Sequence, residues 1–135
     1  YSKKNEYILE YFIKEGVPMT DEFVLVDYKK AIRDLDNDAS LYKDLLDCWF
    51  SEIQFDKAAL EKLCQKEDLS EAAAYVHRVK GAAGSLGAHA LFETAQKTEN
   101  LLRGKTQGNV REHIEELLSV YDSTEKEFKL IRTRF

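Results

Sequence analysis

The scarcity of glycine and proline is the feature that most restricts how this chain can fold. Six glycines and one proline are spread over 135 residues, which is well below the usual share of these residue types. The stretches between them are rich in Leu, Ala, Glu and Lys, which are among the better helix-forming residues. The chain is therefore predicted to be all-α.

Apolar residues recur at helical spacing in four substantial segments that are bounded by turn and capping signals. Asp38 and Asn109 are typical N-cap residues, and Gly87 and Gly104 are typical residues after a helix end. The four predicted helices cover residues 39–66, 68–87, 91–104 and 109 almost to the end of the chain. Because short turns join them, an antiparallel four-helix bundle is the expected architecture.

One or two short additional helices are predicted before this bundle. Residues 3–15 carry apolar side chains at helical spacing, and a second short helix is predicted over about 21–34. We therefore divide the chain into an N-terminal helix or linker end, residues 1–20, and a helical bundle domain, residues 21–135. Since the sequence opens on Tyr1 without an initiating Met, we also expect it to be either a processed chain or a segment of a longer protein.

Composition and charge exclude several classes of function. Twenty Lys and Arg residues against twenty-five Asp and Glu residues give a net charge of −5, so no nucleic-acid partner is expected. No apolar run approaches the ~20 residues of a membrane span. Cys48 and Cys64 lie on nearly opposite faces of one predicted helix and cannot pair with each other. Two free thiols favour a cytoplasmic location.

Residues 75–88 carry the strongest functional signal. With His77 at 0° on a helical wheel, the apolar residues of this segment centre near about 210°, so His77 is predicted to face solvent. Lys80, Gly81 and Gly84 lie on the same face, within about 60° of His77. Glycine inside a helix costs up to ~1 kcal/mol relative to alanine, so the paired glycines indicate close approach by another molecule.

These residue types fit a histidine that accepts a phosphoryl group. A neutral imidazole nitrogen is a nucleophile, and phosphoryl transfer depends mostly on positioning and on positive charge near the phosphoryl oxygens. Lys80, one turn from His77, is predicted to supply that charge. The sequence has no nucleotide-binding loop or kinase motif. A phosphohistidine carrier without kinase activity of its own is therefore expected.

At these residues the sequence resembles the histidine-containing phosphotransfer (HPt) domain family of phosphorelays. The family's HxxKG pattern with a glycine six residues later is matched by His77, Lys80, Gly81 and Gly87. The resemblance covers roughly residues 21–130. It implies an antiparallel four-helix bundle whose histidine takes phosphate from an aspartyl phosphate on one receiver domain and passes it to another.

The resemblance also implies partners and secondary site residues. The partners would be response-regulator receiver domains and a hybrid histidine kinase, with the protein a monomer and Mg²⁺ supplied by the receiver domain rather than bound here. Gln96 or Glu99 is expected to orient the imidazole of His77. Ala82 stands where many members have serine, so a hydroxyl contact at that place is either missing here or supplied by Ser85. No metal site is predicted, because the histidines have no partners at ligand spacing.

Two other interpretations stay open. The N-terminal phosphoacceptor domain of a chemotaxis-type kinase shares the HxxKG core but takes phosphate directly from an attached ATP-binding domain. The Leu-Gly-Ala sequence at 86–88 favours the relay interpretation instead. A non-catalytic helical scaffold would keep the bundle without the chemistry, and the intact His77, Lys80 and Gly81 argue against it.

Overall fold

The structure is a computed structural model that describes residues 25–135. Over this range the chain forms six α-helices and no strands, which confirms the predicted all-α class there. The helices are α1 (Tyr28–Asp34), α2 (Ala39–Glu52), α3 (Lys57–Cys64), α4 (Ser70–Ser85), α5 (His89–Leu102) and α6 (Val110–Arg132). The predicted N-terminal segment 1–20, with its helix over 3–15, lies outside the described residues. Within residues 25–135, no helix has the length and apolar character needed to cross a membrane.

Several helix ends follow the sequence signals. Asp38 caps α2 by accepting a hydrogen bond from the N–H of Leu41 at 2.9 Å. Asn109 caps α6 by accepting from the N–H of Glu112 at 3.1 Å. Gly104 follows α5 with φ 76°, the left-handed conformation that glycine adopts without steric cost. These boundaries confirm the predicted caps.

The predicted continuous helix over 39–66 is wrong. The chain leaves helical geometry at residues 53–56, and α3 begins after Asp56, whose carboxylate accepts from the N–H of Ala59 at 3.2 Å. Cys48 and Cys64 therefore lie in different helices, so the spacing argument used for them does not apply. Both are nevertheless free thiols.

Tertiary contacts at the buried residue Phe55 explain this break. The Phe55 ring packs against Tyr75 and Tyr121, at centroid distances of 5.3 Å and 5.0 Å. The Tyr75 hydroxyl donates to the carbonyl of Gln54 at 2.7 Å and accepts from the N–H of Asp56 at 2.9 Å. These bonds satisfy backbone groups that a continuous helix would have paired internally, so the interruption needs neither glycine nor proline.

Asp68 and Glu71 have the three-residue spacing of a capping box at the start of α4, but no such box forms. Leu69 occupies the N-cap position of α4 and makes no side-chain cap bond. The Asp68 carboxylate accepts from the N–H of Ser70 at 2.9 Å, while Glu71 forms an ion pair with Lys66 at 2.9 Å instead of reaching back to the cap.

The start of α1 lies against the turn that joins α4 and α5. α1 begins at Tyr28 rather than near residue 21, and Asp27 caps it through the N–H of Lys30 at 3.1 Å. The N–H of Asp27 donates to the carbonyl of Gly87 at 3.0 Å. Gly87 has φ 80°, and a Cβ there would lie 2.5 Å from the Asp27 carbonyl oxygen. Gly87 thus permits both the turn and the close approach of α1.

The helices α4 and α5 share the most extensive packing in the described part of the chain. Their contacts pair rising residue numbers on α4 with falling numbers on α5, so the two helices run antiparallel. The contacting positions are His77 with Glu99, Lys80 with Gln96, and Gly84 with Phe92.

Aromatic residues fill the contact between α2 and α6. Trp49, the only tryptophan in the sequence, is buried, and its ring lies edge-on to Phe128 at 4.8 Å and 5.5 Å from Tyr121. The Trp49 indole N–H has no hydrogen-bond partner among residues 25–135. The buried Tyr42 hydroxyl donates to the carbonyl of Leu86 at 2.7 Å and so joins α2 to the end of α4.

Candidate functional site

Helix α4 presents His77 to solvent. The His77 side chain is 57% exposed, whereas Val76 and Val79 beside it are buried. This is the orientation that the helical wheel predicts, because the apolar residues of α4 pack inward and carry the histidine to the opposite face.

The imidazole of His77 is held from one side by Glu99 of α5. Its Nδ1 lies 3.1 Å from both carboxylate oxygens of Glu99. An ionised carboxylate only accepts hydrogen bonds, so Nδ1 carries the hydrogen and donates it. The other ring nitrogen, Nε2, then holds the lone pair of the neutral ring, and no residue among 25–135 forms a hydrogen bond with it. The contact thus leaves Nε2 as the ring nitrogen available to a reactant.

Two cations keep the Glu99 carboxylate ionised. Lys80 Nζ lies 3.0 Å from Oε1, and Arg103 Nε lies 2.8 Å from Oε2. Burial on its own raises the pKa of Glu99, but the hydrogen bonds from Arg103, Lys80 and His77 outweigh it and lower the pKa to about 2. Glu99 is therefore negatively charged at neutral pH.

Lys80 is more enclosed than the sequence suggested. Its side chain is 15% exposed, and its ammonium also donates to Gln96 Oε1 at 3.1 Å. The amide nitrogen of Gln96 donates in turn to Asn100 at 3.0 Å. Of the two residues expected to orient His77, Glu99 therefore contacts the imidazole and Gln96 contacts the lysine.

The two glycines on this face differ in their surroundings. A Cβ added to Gly81 would meet nothing within 4 Å, whereas one added to Gly84 would lie 3.1 Å from the Phe92 ring. Gly81 thus leaves open space one turn from His77, while Gly84 accommodates packing against α5. The Ser85 hydroxyl donates to the carbonyl of Gly81 at 3.3 Å, so it bonds to its own helix rather than to the imidazole.

Arg103 is the site residue that sequence reasoning missed as a functional group. The sequence did contain a signal for it, because Arg103, at the C-terminal end of α5, follows Glu99 by four residues, which is the spacing of a helical ion pair. What the sequence did not reveal is that Glu99 is buried and shared with His77.

A comparison with known families agrees with this geometry. A model of the Hpt domain family matches residues 44–127, which is more than half of the chain and includes His77, Lys80 and Glu99. Searches of curated proteins and of solved structures found no match. Hpt domains carry out histidine phosphotransfer in two-component signalling, the chemistry that an exposed imidazole with one nitrogen held by a carboxylate suits. The chain belongs to the Hpt domain family.

Proposed function

We propose that this protein is a phosphorelay intermediate, in which His77 accepts a phosphoryl group from an aspartyl phosphate on one receiver domain and passes it to another. The observation that carries this proposal is the bond between Nδ1 of His77 and Glu99, which leaves Nε2 as the exposed nucleophile. A carrier needs a reactive atom that a partner domain can reach, and this histidine meets that need.

The proposed step balances without a proton leaving the site. The lone pair of Nε2 attacks phosphorus, the P–N bond forms, and the P–O bond to the aspartate breaks with its electron pair going to the departing carboxylate. Nδ1 keeps its hydrogen, so the phosphorylated ring is cationic and lies beside the negative Glu99 carboxylate. The reverse step returns the phosphoryl group to an aspartate of the next receiver.

Lys80 supplies positive charge for the phosphoryl oxygens in this mechanism. It lies one helical turn from His77, and both side chains contact the same oxygen, Oε1 of Glu99. Mg²⁺ is assigned to the receiver domain. Within residues 25–135, no group of three or more His, Cys, Asp or Glu side chains is placed to hold a metal ion.

The proposed scaffold for this chemistry is an antiparallel four-helix bundle of α2, α4, α5 and α6. The antiparallel contacts of α4 with α5 support it. So does the joining of α2 to α6 by Trp49 with Phe128 and by the ion pair of Asp47 with Arg132 at 3.0 Å. A bundle of this kind holds α4 rigidly from behind while its outer face stays accessible.

The partner surface is assigned to the face of α4 that bears His77 and Gly81. Beyond it, a cavity of about 670 Å³ opens between α1 and the end of α4. Its walls include Ala31, Leu45 and Phe92, so an apolar side chain of a docked receiver domain has a place to bind. The same proposal includes a hybrid histidine kinase as a partner. It also makes the protein a cytoplasmic monomer.

Transfer from labelled receiver domains tests this function. The protein is incubated with a panel of receiver domains carrying radioactive aspartyl phosphate, and label on the protein is measured. We expect a phosphoramidate on His77 that survives base and is lost in acid. His77→Gln should abolish labelling, while the matched variant His113→Gln should keep it. Labelling only by an ATP-dependent kinase would favour the chemotaxis-type interpretation, and no labelling by either route would favour the scaffold.

A further inference from the structure

We propose that Arg103 is a positioning residue for transfer, which holds the Glu99 carboxylate while Lys80 exchanges Glu99 for the phosphoryl group. The inference rests on the proposed function and adds a residue and a rearrangement to it. Arg103 itself need not touch the phosphoryl group, because it acts through Glu99.

The carboxylate of Glu99 is divided between its partners. Arg103 Nε donates to Oε2 at 2.8 Å, Lys80 Nζ donates to Oε1 at 3.0 Å, and His77 Nδ1 lies 3.1 Å from both oxygens. The Glu99 side chain is 8% exposed, so solvent contributes little to stabilising its charge. Among residues 25–135, Lys80 and Arg103 are the two cationic side chains bonded to it.

This arrangement conflicts with the task assigned to Lys80. A lysine that binds phosphoryl oxygens must weaken its bonds to Glu99 and Gln96. A buried carboxylate that loses its cation is strongly destabilised. Until the P–N bond forms, the attacking His77 ring is neutral, so Lys80 is free to move toward the incoming phosphoryl group only if another positive charge stays on Glu99.

Arg103 is suited to remain bonded to Glu99 while Lys80 moves. Arg103 is the C-cap residue of α5, four residues after Glu99, so the pair forms within one segment and does not depend on movement of α4. A guanidinium remains charged at all accessible pH values and holds a carboxylate in a fixed geometry, whereas the lysine ammonium sits on a flexible stem with rotatable donors. The two cations thus have different roles. Arg103 holds the Glu99 carboxylate, and Lys80 moves from Glu99 to the phosphoryl oxygens.

A double-mutant cycle with Glu99 separates this role from direct contact. We compare label uptake from a phosphorylated receiver domain for Arg103→Gln alone and in a Glu99→Gln background. In the otherwise unmodified protein we expect uptake to slow about tenfold or more, because Lys80 is retained as the last cation on Glu99. In the Glu99→Gln background, where no charge needs compensation, we expect removal of Arg103 to change uptake by no more than about twofold.

Matched variants exclude a general effect of charge or stability. Arg103→Lys should recover most of the uptake rate because it restores a cation. Arg111→Gln removes an arginine from another helical ion pair, with Glu115 at 3.5 Å. The Arg111 side chain is 89% exposed and is not one of the partners of Glu99. We expect Arg111→Gln to leave uptake unchanged. Circular dichroism at the assay temperature establishes that each variant is folded.

The protonation of Glu99 gives a readout that does not depend on activity. In carbon-13 spectra of the side-chain carboxyl, Glu99 of Arg103→Gln should become protonated at a higher pH than Glu99 of the unmodified protein. In Arg111→Gln, Glu99 should become protonated at the same pH as in the unmodified protein. An unchanged titration in Arg103→Gln would overturn the claim that Arg103 holds the carboxylate.

The uptake rates decide whether Arg103 affects transfer through Glu99. An equal loss of uptake in both backgrounds would overturn the proposal and assign Arg103 to direct contact with the phosphoryl group or the receiver. Full uptake by Arg103→Gln would overturn it as well. If the unmodified protein takes no label from any donor, the proposed function fails, and the Glu99 titration still decides whether Arg103 holds Glu99.

Discussion

Adding a side chain at Gly81 should separate the stability of the protein from its activity. Gly81 lies within α4, and a Cβ at this position would meet nothing within 4 Å. Replacing glycine by alanine in an exposed helix interior gains up to ~1 kcal/mol of helix propensity. For a domain of this size, such a gain raises the melting temperature by roughly 3 to 5 °C.

Two substitutions at this position make the test specific. Gly81→Ala adds one methyl group, so we expect a rise in melting temperature and label uptake within about threefold of the unmodified protein. Gly81→Gln should also keep or raise the melting temperature. Its longer side chain, one turn from His77, occupies space that, in the proposed transfer, a receiver domain must enter to bring its aspartyl phosphate in line with Nε2. Uptake should then fall by about 100-fold or more.

The assay combines thermal unfolding by circular dichroism with single-turnover label uptake from a phosphorylated receiver domain. Gly84→Ala serves as the comparison. A Cβ at Gly84 would lie 3.1 Å from the Phe92 ring, so we expect this substitution to stabilise the protein less than Gly81→Ala does. Full uptake by a folded Gly81→Gln would refute the argument that this face must stay open. A large loss of stability in Gly81→Ala would refute the placement of Gly81 in open space.

The remaining predictions concern charge and turn geometry. The pKa of Glu99 is lowered from 4.5 to about 2, so its ionised form contributes about 3 kcal/mol of stability that is present above pH 5 and lost as pH falls toward 2. Urea unfolding at a series of pH values should show this loss, and Glu99→Gln should lack it. Lys80→Ala should slow label uptake tenfold or more while circular dichroism still shows a helical protein, since Arg103 continues to hold Glu99. Gly87→Ala should cost about 2 to 3 kcal/mol in urea unfolding, because its Cβ would lie 2.5 Å from a backbone oxygen. Gly104→Ala, with φ 76° but open space, should cost only about 1 kcal/mol.

The parts of the fold that depend on local signals could be predicted from the sequence. Asp38, Asn109 and Gly104 mark helix ends through bonds and dihedral angles that belong to their own segments. The break between α2 and α3 could not be predicted in this way. It depends on Tyr75, a residue about twenty positions away, whose hydroxyl binds the backbone on both sides of Phe55.

In the candidate site, too, features within one helix could be predicted, whereas contacts between helices could not. The face of α4 that carries His77 follows from the helical wheel, because one helix fixes the angles between its own residues. Which residue of α5 meets His77 depends on how the two helices pack. The family resemblance therefore left Gln96 and Glu99 as alternatives, and only the packing pairs Glu99 with the imidazole and Gln96 with Lys80.

The single buried tryptophan makes this protein its own optical probe. Trp49 lies where α2 meets α6, against Phe128 and Tyr121, and its indole N–H has no partner among residues 25–135. An indole in such surroundings should emit at short wavelength, and its emission should shift to the red when these helices separate. Emission should therefore follow unfolding of the core without any added dye. The phosphoryl transfer proposed for His77 would take place on another helix, so it should leave this signal nearly constant and the two processes can be followed independently in one sample.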